Sequence, residues 1–183
     1  MIFFKQLLKS AKYTGAIVPS SSFLADKMVG LADVELAKTI LELGPGSGAI
    51  TKAIIRAKPV DCRLVTIDIN HEFVEHLKKT YPAVEHIEAD IIYLKEKITA
   101  LGIQSVDVIF SGIPFVDFTS AECAVMLDQI GLVMSEKSRL VLFTYSRIKF
   151  KTFFQSFEKV ALSYVPLNIP PAYILVLKKK LKK

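Results

Sequence analysis

A short apolar run, Thr39 to Leu43, breaks into Gly44-Pro45-Gly46-Ser47-Gly48 and resumes as a helix-forming stretch from Ala49 to Ala57. Strand, glycine turn and helix in this order constrain the chain more than any other feature. Three glycines at alternate positions accept φ > 0 and let the backbone come close to a bulky ligand. Such a turn at the carboxyl end of a buried strand opens a nucleotide-type α/β unit. The spacing is G-x-G-x-G, not the G-x-G-x-x-G of dinucleotide binders.

The same alternation continues along the chain. Periodicity predicts strands over Thr39–Leu43, Arg63–Asp68, Glu85–Ala89, Val106–Ser111, Leu140–Tyr145, Val160–Tyr164 and Tyr173–Leu177. It predicts helices over Ser21–Leu31, Ala49–Ala57, His71–Thr80, Ile92–Leu101, Ser120–Met134 and Lys149–Phe157. Strands separated by helices imply right-handed crossovers and a parallel sheet covered on both faces. The last two strands are joined only by Pro166 to Ala172, too short for a crossover, so they pair antiparallel. The expected class is α/β: a Rossmann-like seven-stranded sheet with an antiparallel C-terminal hairpin, as in class I methyltransferases. The organisation reads as an amphipathic segment at 1–12, one domain at 13–177 and a basic tail at 178–183.

The 183 residues suit one domain with a sizeable core. Hydrophobic residues make up 51% and mean hydropathy is +0.39, high for a freely soluble protein. No apolar run reaches the roughly 18 residues needed to span a bilayer. Lys5 and Lys9 interrupt the only candidate signal segment. Cys62 and Cys123 give neither a disulfide framework nor a metal-ligand spacing, and a reducing cytosol is expected. The net charge of +6 is concentrated at the end, in Lys178, Lys179, Lys180, Lys182 and Lys183. Basic ends favour polyanions, either nucleic acid or an anionic membrane. On a helix, Phe4, Leu7, Leu8 and Ala11 share one face, and Lys5, Lys9 and Lys12 another. That face either lies in a lipid interface or packs on the protein's own sheet.

Ligands of such sheets sit at the carboxyl ends of the strands. Glu42, just before the glycine turn, would repel a pyrophosphate but can hold an ammonium. A cofactor with an amino acid in place of a pyrophosphate suits that position, and S-adenosylmethionine is the candidate. Gly44, Gly46 and Gly48 would let it approach. Strand two ends at Asp68, which can accept two hydrogen bonds from a ribose diol, with Ile69 covering an adenine face; the alternative for Asp68 is an N-cap of the helix at His71. Asp90, after strand three, suits an adenine amine with Ile91 beside it, or caps the next helix. Strand four ends in Ser111-Gly112-Ile113-Pro114-Phe115. There glycine permits a sharp turn and proline fixes φ, so carbonyls can project into the pocket.

Tyr13 to Ser21, Leu24-Ala25, Glu42 to Gly48, Ser111 to Phe115, Phe143-Thr144-Tyr145 and Asn168-Ile169-Pro170-Pro171-Ala172 together resemble the short bacterial phospholipid N-methyltransferases. The resemblance runs from about Tyr13 to Leu177. It implies methylation of the headgroup amine of phosphatidylethanolamine, or in relatives of an ornithine lipid, with S-adenosylmethionine leaving as S-adenosylhomocysteine. It also implies a peripheral enzyme on the inner face of the cytoplasmic membrane, with the N-terminal helix and lysine tail on anionic lipid. Asp68 stands where the family often has glutamate, and Met134 to Ser138 replace its Pro-Gly-Gly turn. Ser20 and Ser21 are implied at the cofactor's amino-acid end, or one of them caps a helix.

Methyl transfer from a sulfonium to an amine is an in-line displacement, for which positioning supplies about 7–11 kcal/mol. The amine must first lose a proton, and methylated products are cationic. Tyr145 can hydrogen-bond the amine and face the cation, Tyr13 can close the other side, and Phe115 can line the methyl path. Each tyrosine is otherwise a packed ring with a wet hydroxyl. The carbonyls of Ser111 or Gly112 can accept N–H bonds, with Pro114 shaping that loop. Arg147 is a candidate for a lipid phosphate, or a solvated surface arginine. Asn168 orients the headgroup or caps the Pro-Pro loop. No residues with metal-ligand spacing are present. The rival readings are an RNA adenine N6-dimethyltransferase and a non-catalytic membrane-binding relative. The former family resembles this core but has Asn-Leu-Pro-Tyr where this chain has Ser-Gly-Ile-Pro-Phe, and it adds a C-terminal helical domain.

Overall fold

A computed structural model describes residues 22–145, 154 and 156–180. Seven strands form one sheet: β1 (Thr39–Leu43), β2 (Arg63–Asp68), β3 (Glu85–Glu88), β4 (Val106–Ser111), β5 (Met134–Thr144), β6 (Phe157–Val165) and β7 (Ala172–Lys179). Their spatial order is β3-β2-β1-β4-β5-β7-β6. Strands β1 to β5 pair parallel with one another, while β7 is antiparallel to both β5 and β6. The α/β class and the antiparallel C-terminal pair are as expected from sequence, with β7 inserted between β5 and β6.

The helices are α1 (Ser22–Val29), α2 (Ala49–Ala57), α3 (His71–Thr80), α4 (Leu94–Ala100) and α5 (Ser120–Val133). Alternate strand residues point to opposite faces, which gives two cores. Ile40, Leu64, Val108, Val141 and Ile174 pack with Leu24 and Met28 of α1 and Ile50 and Ile54 of α2. Leu41, Val65, Ile109, Leu142 and Leu175 pack with Leu94 and Ile98 of α4 and Met126 and Ile130 of α5. Full burial of each such side chain is worth about 1.5–3 kcal/mol. The near-continuous apolar run of β4 follows from its being covered on both sides.

Local signals fix several boundaries. Helix α5 starts with a capping box: the Thr119 hydroxyl accepts from the Glu122 N–H, and the Glu122 carboxylate accepts from the Thr119 N–H at 2.8 Å. The expected strand at Leu140 instead begins at Met134, immediately after α5. Residues 135–138 bulge out between the Val106–Met134 and Val108–Arg139 pairs. Ser138 holds this excursion, its hydroxyl donating to the Val106 carbonyl at 2.5 Å and accepting from the Ser135 N–H at 2.8 Å. Two serines thus take over where the resembled family has Pro-Gly-Gly.

Phe157, expected to end a helix, begins β6 opposite Lys179, while the rest of that predicted helix lies largely outside the described residues. The predicted helix at Ile92 opens as a 3₁₀ turn, Ile91–Tyr93, before α4. Strand β7 runs through Lys178 to Lys179, so the first two lysines of the basic tail are strand residues. The amphipathic segment at 1–12 lies outside the described residues.

Candidate active site

The glycine turn lies at the carboxyl end of β1, between the ends of β2 and β4. The Gly44 N–H donates to the Ile67 carbonyl at 2.9 Å, and the Gly112 N–H to the Leu43 carbonyl at 2.8 Å. Gly44, Gly46 and Gly48 have φ of 65°, 53° and 86°, a region that disfavours any side chain with a Cβ. The two loops touch: a Cβ on Gly112 would stand 2.4 Å from the Gly44 carbonyl oxygen. Gly112 therefore serves close loop packing.

Glu42 is fully buried on the sheet face covered by α2. One carboxylate oxygen, Oε2, accepts the Thr51 hydroxyl at 2.6 Å. The other, Oε1, has no hydrogen-bond partner among the described residues. Burial pushes the Glu42 pKa up to about 8, the Thr51 hydrogen bonds pull against it, and the Asp68 charge adds to the rise. A buried, unpartnered carboxylate oxygen is costly unless a cation or donor meets it. An ammonium group at this position fits that need.

Asp68 is 8% exposed. Its Oδ2 accepts the Gly46 N–H at 3.2 Å and its Oδ1 the Asn70 N–H at 2.8 Å. Burial raises its pKa, opposed by these backbone donors. A carboxylate has about four lone-pair sites, so acceptor capacity is left for a diol. The helix-capping alternative belongs to the neighbouring Asn70, whose side chain accepts from Glu72 and Phe73 at the start of α3. At Asp90 the capping contact is real: Oδ1 accepts the Ile92 N–H at 3.1 Å. Ile69 is half-buried, whereas Ile91 belongs to the core beside Leu94.

After β4, the buried Ser111 hydroxyl accepts the Ile113 N–H at 3.3 Å, and Pro114 is exposed. Phe115 turns into the core, edge-on to Phe154 with ring centroids 5.5 Å apart. Tyr145, just past β5, is 42% exposed and meets Phe143 edge-on at 5.6 Å. Burial raises its pKa above the usual tyrosine value, and the nearby Asn168 side chain works against that rise. Asn168 is itself buried, its Nδ2 donating to the Pro170 carbonyl at 2.7 Å. Two residues singled out separately thus meet at one place.

Tyr13, Ser20, Ser21 and Arg147 lie outside the described residues. Lys178 and Lys179 lie at the far end of β7 from Tyr145, paired with Glu158 at 3.3 Å and bonded to the Gly131 carbonyl at 2.9 Å, respectively. Sequence reasoning passed over Thr51, although a polar residue on the buried side of α2 was a usable signal. Among the described residues no group of histidines, cysteines and carboxylates is placed to hold a metal, and no helix is long and apolar enough to cross a membrane.

The donor set fits S-adenosylmethionine: Glu42 for the ammonium, Asp68 for the ribose diol and the glycine turn for close backbone approach. Comparison with known proteins agrees. The methyltransferase domain family matches residues 40–137. An ornithine lipid N-methyltransferase of Singulisphaera acidiphila is 25% identical over 175 residues, covering 93% of this chain and 91% of that protein. The ribosomal RNA small subunit methyltransferase A of Mycoplasma capricolum is 34% identical over 106 residues, but the match spans only 39% of that enzyme's length and 56% of this chain. Among solved structures, TrmN from Thermus thermophilus superposes with a TM-score of 0.73 at 17% identity, covering 93% of this chain and 53% of that one, a likeness of fold. The chain belongs to the methyltransferase domain family, and it is a class I S-adenosylmethionine-dependent methyltransferase.

Proposed function

We propose that this enzyme methylates the headgroup amine of a membrane lipid, of the phosphatidylethanolamine or ornithine-lipid type, at the membrane surface. The observation that carries the reading is the end-to-end match to an ornithine lipid N-methyltransferase, over nine-tenths of both chains. The matches to ribosomal RNA enzymes are partial by contrast. S-adenosylmethionine, when bound, supplies a methyl group on a sulfonium with a good leaving group.

The chain's own residues supply position and environment. Glu42 would hold the cofactor's ammonium group and Asp68 its ribose diol. Tyr145 stands at the carboxyl end of β5, with the Asn168 side chain near its hydroxyl. That hydroxyl, neutral at physiological pH, hydrogen-bonds the lipid amine, and the ring faces the cationic product. The carbonyls of Ser111 and Gly112 accept remaining N–H bonds, and a pocket that disfavours charge lets water carry off the amine proton. Arg147 is assigned to the lipid phosphate, Tyr13 to the opposite wall, and Ser20 and Ser21 to the cofactor's amino-acid end. The amphipathic pattern of residues 1–12 suits a lipid anchor on the inner face of the cytoplasmic membrane.

Expression in a bacterium whose lipids carry no N-methyl groups tests the reading. Mass spectrometry of the extracted lipids should show methylated phosphatidylethanolamine or methylated ornithine lipid, and which of the two appears names the substrate. Unaltered lipids in cells containing folded, cofactor-binding protein would count against it. The specific rival is methylation of ribosomal RNA adenine, which the 34% identity to Mycoplasma capricolum methyltransferase A favours over residues shared with that core. Increased adenine methylation in ribosomal RNA from the same cells would support that rival.

A further inference from the structure

From Val160 to Leu177 the chain contains no charged residue. This run forms the hairpin of β6 and β7. Its tip, residues 166–171, lies at the candidate active site because Thr144 pairs with Tyr173 and the Asn168 side chain comes near the Tyr145 hydroxyl. Within the tip, Asn168 is turned inward at 3% exposure. Its neighbours are turned out, Leu167 at 70% and Ile169 at 82%. Tyr164, tilted on Tyr173 with centroids 4.9 Å apart, is 52% exposed beside them.

Large aliphatic side chains rarely stand this far out together on an uncharged surface. Edge strands are normally blunted with charge, and β6, which is an edge strand with Val160 and Leu162 also exposed, has none after Lys159. The local build is stiff: Pro166, Pro170 and Pro171 belong to the tip, and the Asn168 side chain is tied to the Pro170 carbonyl.

We infer that the β6–β7 tip enters the surface of a lipid bilayer, with Leu167 and Ile169 among the acyl chains and Tyr164 at headgroup level. The inference rests on the lipid-amine reading above and adds how the site is held at the bilayer. A lipid's amine does not leave the interface, so the site must come to it, and the tip stands beside Tyr145 where the amine must arrive. Two aliphatics with a tyrosine behind them are an interfacial composition. A second copy of the chain is the competing occupant, but seated here it would cover the entry to the site. Lys178 and Lys179 lie at the opposite end of β7 from this contact.

The chain contains no tryptophan, so a single one reports its own surroundings. Ile169→Trp and, independently, Leu167→Trp would be mixed with phosphatidylcholine–phosphatidylglycerol vesicles lacking any amine lipid, with and without brominated acyl chains. Leu36→Trp, at an 83% exposed position before the amino end of β1, serves as the control. Blue-shifted emission quenched by bromine at 169 or 167, and water-like emission at 36, is the expected result. Water-like emission at 169 and 167 in the presence of vesicles would overturn the inference. So would emission already blue-shifted without lipid together with a dimer mass in light scattering, which gives the surface to a second copy. Insertion without lipid methylation would sink the substrate reading alone, and methylation with both tryptophans in water would sink the insertion alone.

Discussion

Thr51 donates its hydroxyl to one oxygen of Glu42 at 2.6 Å, and the other oxygen of that buried carboxyl has no partner among the described residues. One turn of α2 thus satisfies half of an acid that a strand has carried into the core. The arrangement makes Glu42 both a cost to folding and a receptor for a cation.

Because burial lifts the Glu42 pKa from 4.5 to about 8, the folded protein holds this proton more tightly than the unfolded chain. The associated stability is therefore fully present below about pH 4.5 and is lost as pH rises towards about 8. Glu42→Gln removes that slope. Thermal melts across this range should show the variant at least as stable as the parent at pH 8, while calorimetry shows S-adenosylmethionine affinity reduced about tenfold or more, one charge-assisted hydrogen bond's worth. A variant that binds the cofactor as well as the parent would remove Glu42 from the site.

Asp68→Asn should keep the fold, since an amide oxygen can still accept from Gly46 or Asn70. Loss of the second charged acceptor for a ribose diol should weaken cofactor binding by about tenfold or more. The check is calorimetric, with adenosine as a second ligand: it should lose affinity in parallel, because the diol is common to both.

Gly112→Ala places a Cβ 2.4 Å from the Gly44 carbonyl oxygen, a backbone atom that cannot rotate away. Denaturant unfolding should show a loss of about 1–3 kcal/mol or more. Gly46→Ala meets nothing within 4 Å, yet must adopt φ near 53°, so only the cost of a left-handed residue applies, about 1–2 kcal/mol. Equal stability of parent and Gly112→Ala would show that the β1 and β4 loops do not pack as closely as described.

Tyr145→Phe removes the hydroxyl that lies near the Asn168 side chain. Turnover should fall about tenfold or more, with cofactor affinity unchanged. Asn168→Ala should lower turnover in the same direction and add little in the double variant, because both act through one hydroxyl. Equal losses of turnover and cofactor binding would make Tyr145 a packing residue.

The parallel strands were the legible part of this chain. Thr39–Leu43, Arg63–Asp68 and Val106–Ser111 are apolar runs closed by turn residues, and the structure keeps those bounds. The β5 start was not legible, because Ser135, Glu136, Lys137 and Ser138 look like a turn until Val106 supplies the carbonyl that anchors them. Glu42 and Asp68 were readable as polar residues at strand ends. The Tyr145–Asn168 contact was not, since it depends on β7 entering the sheet between β5 and β6. The Phe115–Phe154 packing was hidden for a related reason, since it joins the β4 loop to a residue far along the chain.

The identity of the methyl acceptor can be read directly. Purified full-length protein and methyl-labelled S-adenosylmethionine would be offered vesicles containing phosphatidylethanolamine, its monomethyl form or an ornithine lipid, each in competition with unmethylated ribosomal RNA. Label is expected in the lipid extract and none in the RNA. Label in RNA with lipids unmarked would contradict the lipid-amine reading.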